Sequence, residues 1–243
     1  MSSWALWPRF ILSRMIQGRR LKTRRSLIEE RTTLAPFTLG HRRVVAGDLA
    51  SNGWCFVEDV LSPDSHTVLC NRWPSLDWFD SLTWSRVGKC YDILRVRREL
   101  IPASLTPVPS SISELCRVLD GEEFRHWIKS LSNSTTTLVS IHKVASVAYS
   151  HSFLTPHKDS LDSQNPHQMF NLIYFVNASG KGWDAGGTSI LGDGTFRHAK
   201  FVPQLLKNTA LIYDTRADFW HGFPRMPLRS WRWVVTTVFE QTE

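Results

Sequence analysis

The 243-residue chain has few cysteines, and none of them form a close pair. Cys55, Cys70, Cys90 and Cys116 lack any C-x-x-C spacing, which excludes a zinc ribbon and a dithiol redox motif. No apolar run approaches the ~18–20 uncharged residues that cross a bilayer, so an integral helical membrane protein is excluded. The sequence shows no internal repeat and no low-complexity tract, which removes solenoids and arrays. No secretory leader is legible either, because Pro8, Arg9 and Arg14 interrupt any hydrophobic region near the start. The thiols are therefore expected to be reduced and the protein cytoplasmic. On that expectation, the sequons at Asn133 and Asn177 are chance matches. What the chain does have is 42% hydrophobic residues, enough for an ordinary core. Its length suits one large domain, with or without an extension.

Acidic residues are scarce at the N-terminus. Residues 1–45 carry ten Lys and Arg against Glu29 and Glu30 alone, a net of +8 in a chain whose total is +7. The remainder, at −1, is near neutral. The chain thus divides into a basic N-terminal extension (1–45) and a domain (46–243). A domain-wide nucleic-acid footprint would need basic residues on the folded body, so nucleic acid is disfavoured as a partner. Within the extension Trp4, Trp7, Ile11, Met15 and Ile16 recur at helical spacing among arginines. Three readings remain open. Residues 1–25 could lie in an anionic membrane interface at the inner face of a membrane, pack on the body with a solvated basic face, or act as a mitochondrial-type presequence.

The body reads as helical first and strand-rich later. GWCFVEDV (53–60) has strand character. Ser62-Pro63-Asp64 supplies an N-cap, a first-turn proline and a first-turn acid for a helix running towards Trp73. Residues 74–109 resist assignment. Ser111-x-x-Glu114 matches a capping box ahead of Leu115, Val118 and Leu119, with Gly121 as terminator, and a second helix is expected over 122–131. From Ser134 onward, short β-branched and aromatic runs separated by turn residues predict a sandwich or barrel core over about 134–240.

One short motif carries chemistry. His157 and Asp159 are two apart, which on extended backbone places imidazole and carboxylate on one face. His221 follows after 61 intervening residues. Two imidazoles and one carboxylate on one side of a metal leave the opposite positions open, the donor set of non-haem Fe(II) oxygenases. The motif sits in an ordered context of a strand over 171–176, the glycine turn Gly186-Gly187, TALIYD (209–214), His221 and the run RWVVTTVFE (232–240). This order resembles the 2-oxoglutarate/Fe(II)-dependent dioxygenases, in particular their prolyl-4-hydroxylase-like branch, over roughly residues 149–240.

That resemblance implies an α+β fold with a double-stranded β-helix core (jelly-roll, cupin-like) and supporting helices. It implies His157, Asp159 and His221 as Fe(II) ligands, 2-oxoglutarate and O2 as co-substrates, and ascorbate as an optional reductant. Arg232 is the expected partner of the distal 2-oxoglutarate carboxylate, in preference to Arg229, which falls in the preceding loop. Val234 occupies a slot where the family often has serine, and Thr236 is the replacement hydroxyl. Asn171 and, with less support, Tyr149 complete the expected co-substrate contacts, while Phe175 stands where relatives often have tyrosine. Trp183, Trp220, Trp231 and Trp233 are candidates for a substrate pocket, although large aromatics in strands are more often core. An aspartate at 159, where halide-transferring relatives have a small residue, implies hydroxylation. The substrate expected is a small molecule or a membrane-associated glycan or lipid, with a protein side chain as the alternative. A non-catalytic β-sandwich that docks through its tail is the rival from another class.

Overall fold

The computed structural model describes residues 34–76, 79–86, 89–98, 109–133, 135–159 and 168–242. The amphipathic reading of residues 1–25 lies outside the described residues. Twelve strands are described: β1 (Arg43–Asp48), β2 (Trp54–Glu58), β3 (Asp80–Arg86), β4 (Lys89–Arg98), β5 (Thr137–Tyr149), β6 (Phe153–His157), β7 (Gln168–Ala178), β8 (Ser189–Leu191), β9 (Ala199–Phe201), β10 (Thr209–Asp214), β11 (Trp220–Phe223) and β12 (Trp231–Thr242). Four helices accompany them: α1 (Leu49–Asn52), α2 (Pro63–Asn71), α3 (Ser110–Leu119) and α4 (Glu122–Ser132).

The strands pair antiparallel in the order β1-β2-β10-β7-β12-β5-β4-β6-β11-β8-β9, with β3 added on β4. β4 pairs with β5 through Leu94–Arg98 and with β6 through Tyr91 and Asp92, so it carries the sheet round from one layer to the other. The second layer, β6-β11-β8-β9, lies over the first, and side chains from the two meet in the interior. This is the expected jelly-roll with helices on one side, an α+β fold.

Alternation along β7 explains both faces. Leu172, Tyr174 and Val176 point outward and pack with Leu69, Ile112, Leu115, Leu119, Phe124 and Ile128 of the helices. Ile173 and Phe175 point inward, against Phe56, Leu211, Tyr213, Phe219 and Val234. A strand buried on both faces reads as an almost unbroken apolar run, as MFNLIYFVN does. Asn208 ties the outer layer together: its side chain bonds both the N–H and the C=O of Leu61 at 2.9 Å and accepts from the Tyr174 hydroxyl at 2.9 Å. Cys55 and Cys116 are buried and Cys70 half-buried, and burial pushes the Cys55 thiol up to about 12. Among the described residues no helix is long and apolar enough to cross a membrane.

Several local expectations need correction. The first half of the body is not mainly helical, because β1 and β2 extend the first layer beyond β10 and residues 80–98 form the β3–β4 hairpin. The sheet therefore starts well before residue 134. Helix α2 begins as expected, with Ser62 Oγ accepting from Ser65 N at 3.3 Å. The capping box does not form. Helix α3 starts two residues earlier, with Pro109 in place of Ser111 at its N-cap. Ser111 Oγ donates to the Arg72 carbonyl at 2.7 Å, and Glu114 accepts from Phe37 N at 2.7 Å while pairing with Arg117. Tertiary partners outbid the local ones. Gly121 separates the two helices as the N-cap of α4 rather than closing α3 by itself.

Candidate metal and co-substrate centre

His157 ends β6 and His221 lies on β11, and the two residues face each other directly in the register of these strands. Their rings are 4.1 Å apart between centroids, and both residues are buried, at 3% and 2% exposure. Close approach of the two backbones is needed for this. A Cβ on Gly222 would lie 2.7 Å from the Leu154 carbonyl oxygen, so only glycine fits beside His221. Asp159 follows two residues after His157. Its Oδ1 is 3.3 Å from His157 Nε2 and its Oδ2 is 3.6 Å from His221 Nε2. One ligand atom from each of the three lies within 4.8 Å of the others.

The chemistry of these donors suits a divalent cation. His157 Nδ1 is 2.9 Å from the Thr155 carbonyl, an acceptor only, so Nδ1 carries the proton and Nε2 presents its lone pair. A bare imidazole nitrogen and a carboxylate oxygen 3.3 Å apart repel unless a cation or a proton sits with them. The set of two imidazoles and one carboxylate matches non-haem iron.

Arg232, on β12, points into the same interior. It is 6% exposed, its Nη1 donates to the Gly186 carbonyl and to Thr188 Oγ1, and its guanidinium lies over the Phe223 ring at 4.0 Å and the Phe175 ring at 5.7 Å. Its Nε has no hydrogen-bond partner among the described residues. Burial pulls its pKa down to about 9, which still leaves it charged at neutral pH. A buried cation with unspent donors calls for an anion, and a carboxylate matches its fork. Phe175 thus offers the guanidinium a ring face and no hydrogen-bonding group.

The β12–β5 register runs without a break from Trp231 to Val238, so Arg232, Val234 and Thr236 share one face. Val234 joins the interior cluster, and Thr236 is half-buried opposite Ile173. Asn171 also points inward and donates from Nδ2 to Asp159 Oδ2 at 3.2 Å. Tyr149 is not brought to this group. It pairs with Trp231 on the opposite face from Ala148 and Arg232, and it is 43% exposed. Arg229 sits in the preceding loop with φ 65°, exposed, its backbone N–H bonded to Ser150 Oγ. Trp231 and Trp233 contact each other on that outer face, their planes tilted by 33°, and Trp233 stacks on Trp73, so neither lines the interior. His198 pairs with Asp193 at the surface, and His167 lies outside the described residues.

Sequence reasoning missed Tyr213. This penultimate residue of β10 is 1% exposed, and its hydroxyl contacts Asp159 Oδ2 at 2.7 Å, Asn171 Nδ2 at 2.7 Å and His221 Nε2 at 3.1 Å. Burial, and then the Asp159 charge, raise its pKa well above the ordinary phenol value, so it is a neutral donor. Alternation along the strand was the available signal, since it places Tyr213 on the inner face with Leu211.

Comparison with known proteins agrees on the fold. No family model matches the chain, and no curated protein matches it by sequence. Solved structures do. An oxidoreductase of the 2OG-Fe(II) oxygenase family from Burkholderia pseudomallei aligns at a TM-score of 0.56 and 14% identity, over 85% of this chain and 96% of that one. A prolyl-4-hydroxylase from Pseudomonas putida aligns at 0.55 and 15%, over 80% and 96%. The epimerase SnoN of nogalamycin biosynthesis, described as non-heme and alpha ketoglutarate dependent, aligns at 0.58 and 14%, over 79% of each chain. The chain has the fold of the 2-oxoglutarate/Fe(II) oxygenases, including their prolyl-4-hydroxylase-like members.

Proposed function

We propose that the protein is an Fe(II)- and 2-oxoglutarate-dependent dioxygenase that hydroxylates an unactivated C–H bond. The observation that carries this reading is the convergence of His157, Asp159 and His221 on one point inside the jelly-roll, beside a buried arginine whose Nε has no hydrogen-bond partner among the described residues. Iron with 2-oxoglutarate and O2 supplies the oxidation of the C–H bond, the co-substrate leaving as succinate and CO2. The chain's own residues supply the holding and orienting. His157 and His221 offer Nε2, Asp159 offers a carboxylate oxygen, Arg232 takes the distal carboxylate of the co-substrate, and Thr236 offers that carboxylate a hydroxyl. Phe175, Phe223 and Val234 keep water from the guanidinium, which strengthens its hold on an anion.

For the substrate we favour a small molecule, including a glycan or lipid met at a membrane surface. Support comes from structural neighbours named for small-molecule chemistry, such as SnoN in complex with Fe3+, alpha ketoglutarate and nogalamycin RO. A prolyl hydroxylase from Trichoplax adhaerens bound to a hypoxia inducible factor peptide, at a TM-score of 0.56, keeps a protein side chain as the alternative. Titration with Fe(II) and 2-oxoglutarate under argon should develop a weak visible charge-transfer band. His157→Ala and His221→Ala should lack the band while remaining folded. Succinate release against metabolite, glycan and peptide pools then separates the substrate classes. A protein that shows no band and releases no succinate would overturn the reading.

A further inference from the structure

Arg232 spends its hydrogens unevenly. Among the described residues its hydrogen bonds both leave from Nη1, one to the Gly186 carbonyl and one to Thr188 Oγ1 at 3.1 Å. An Nη nitrogen carries two hydrogens, so these two acceptors use up that end of the fork. Nε has no hydrogen-bond partner among the described residues. The N–H donors of a guanidinium all lie in its plane, and a carboxylate can meet them on one of two edges. The end-on edge needs a hydrogen of Nη1, whereas the side-on edge uses Nε and Nη2. Only the side-on edge still has its pair.

The two acceptors are held by a built turn. Gly186 has φ 74° and caps the one-turn 3-10 helix Gly182–Ala185. A Cβ at this position would lie 2.7 Å from Met226 Sδ and 3.3 Å from Arg232 Cδ, so the conformation and the close approach both call for glycine. The next N–H, of Gly187, bonds the Gly182 carbonyl at 2.7 Å. Ser189 Oγ then joins the turn to β8, donating to the Gly187 carbonyl at 3.2 Å and accepting from Trp183 Nε1 at 2.5 Å. Thr188 is 1% exposed, and Met226 is fully buried with Phe223 and Ala148.

We infer that Gly186 and Thr188 are positioning residues that decide which edge of Arg232 meets the co-substrate: they hold Nη1, and the distal carboxylate is taken side-on by Nε and Nη2. This rests on the co-substrate reading above. The glycine turn then serves selectivity as well as chain reversal. A guanidinium pinned before binding has less freedom to lose when the carboxylate arrives, so the seat favours a ligand that carries that carboxylate over one that lacks it.

The test uses the full-length protein with Zn(II), a diamagnetic probe, and two ligands. One is 2-oxoglutarate. The other is 2-oxopentanoate, which keeps the 2-oxo acid end and has a methyl group in place of the distal carboxylate. The first readout is the Arg232 Nε–H signal in proton–nitrogen correlation spectra, assigned by its loss in Arg232→Lys. It should move with 2-oxoglutarate and stay in place with 2-oxopentanoate. 2-Oxoglutarate that binds without moving it would overturn the inference, because the carboxylate would then use another edge. The second readout is the ratio of the two affinities by calorimetry. Thr188→Val keeps the side chain's shape and removes the acceptor. It should lower the preference for 2-oxoglutarate about tenfold, the scale of one hydrogen bond to a charged group, and leave 2-oxopentanoate binding little changed. Thr188→Ser, which keeps the acceptor, should keep the wild-type preference, and Gly186→Ala should lower it as Thr188→Val does. An equal loss of both ligands in Thr188→Val, or no loss of either, would overturn the inference, since Thr188 would then only pack. Should Thr188→Val fail to fold, the wild-type spectra decide by themselves. If wild-type protein binds the two ligands equally or binds neither, the co-substrate reading of Arg232 falls as well. A wild type that prefers 2-oxoglutarate with an unmoved Nε–H signal strikes this inference alone.

Discussion

Arg232 shows how much one side chain carries. A guanidinium 6% exposed, with two aromatic rings over it and no carboxylate partner among the described residues, is held at a cost in stability. Truncating one partner of a buried, hydrogen-bonded charge pair typically costs about 2–5 kcal/mol. Arg232→Ala should therefore raise the apparent 2-oxoglutarate constant about 30-fold or more, at ~1.4 kcal/mol per tenfold. Arg229→Ala should leave it within a few-fold, because Arg229 is exposed on a loop and shares no face with the interior. Competition binding with a non-reactive 2-oxoglutarate analogue checks the ranking, and the reverse order would reassign the clamp. Of the other side chains named from sequence, Asn171 and Thr236 do face the interior. Tyr149 does not, because a residue at the end of β5 takes its face from the pairing with β12, and that pairing is not readable from a single strand.

Strands β6 and β11 do the joining. His157 and His221 are 64 positions apart in number, yet they meet because the two short strands pair and Gly222 lets the backbones approach. An added Cβ there must move the Leu154 and Thr155 carbonyls or shift β11 outward. Gly222→Ala should destabilise the fold by about 1–3 kcal/mol, the usual range for overpacking. It should also weaken Fe(II) or Mn(II) binding, because the shift separates the two imidazoles. A urea melt and a metal titration read the two effects. A variant that loses stability but binds metal normally would show that β11 yields elsewhere. The helices teach the opposite lesson. Ser111 and Glu114 have capping-box spacing, yet their side chains reach Arg72 and Phe37, residues far away in sequence. A local motif competes with every partner that folding brings near, and here it lost.

For the molecule as a whole, charge separates the parts. Seven basic residues and no acidic one lie in 1–25, while residues 46–243 are close to neutral. If that segment meets an anionic surface, deleting residues 1–25 should sharply reduce binding to anionic vesicles in co-sedimentation. Turnover of a water-soluble substrate should change little, because the jelly-roll and its site lie wholly in the remainder. Vesicle binding that persists after the deletion would end the membrane reading of the tail and favour a packed helix or a spacer.

The strand texture after Ser134, the H-x-D spacing, the distant histidine and the arginine eleven positions beyond it were all legible in the residue order. They are short-range or ordered patterns: period-two alternation makes faces, and a strand's composition records whether both of its faces are buried. The alternation was enough to put Arg232 with Thr236, and Asn171 with Phe175. Pairing was not legible. That β10 lies against β7, and so puts the Tyr213 phenol on the Asn171 carboxamide and on Asp159, depends on contacts between segments some 40 residues apart. The β3–β4 hairpin was hidden for a similar reason, since β4 is held by β5 and β6, and β3 by β4, rather than by a pattern of their own. Individual strands announce which side they bury. Which strand lies beside them is settled only when the whole sheet closes and every inward side chain must find its partner.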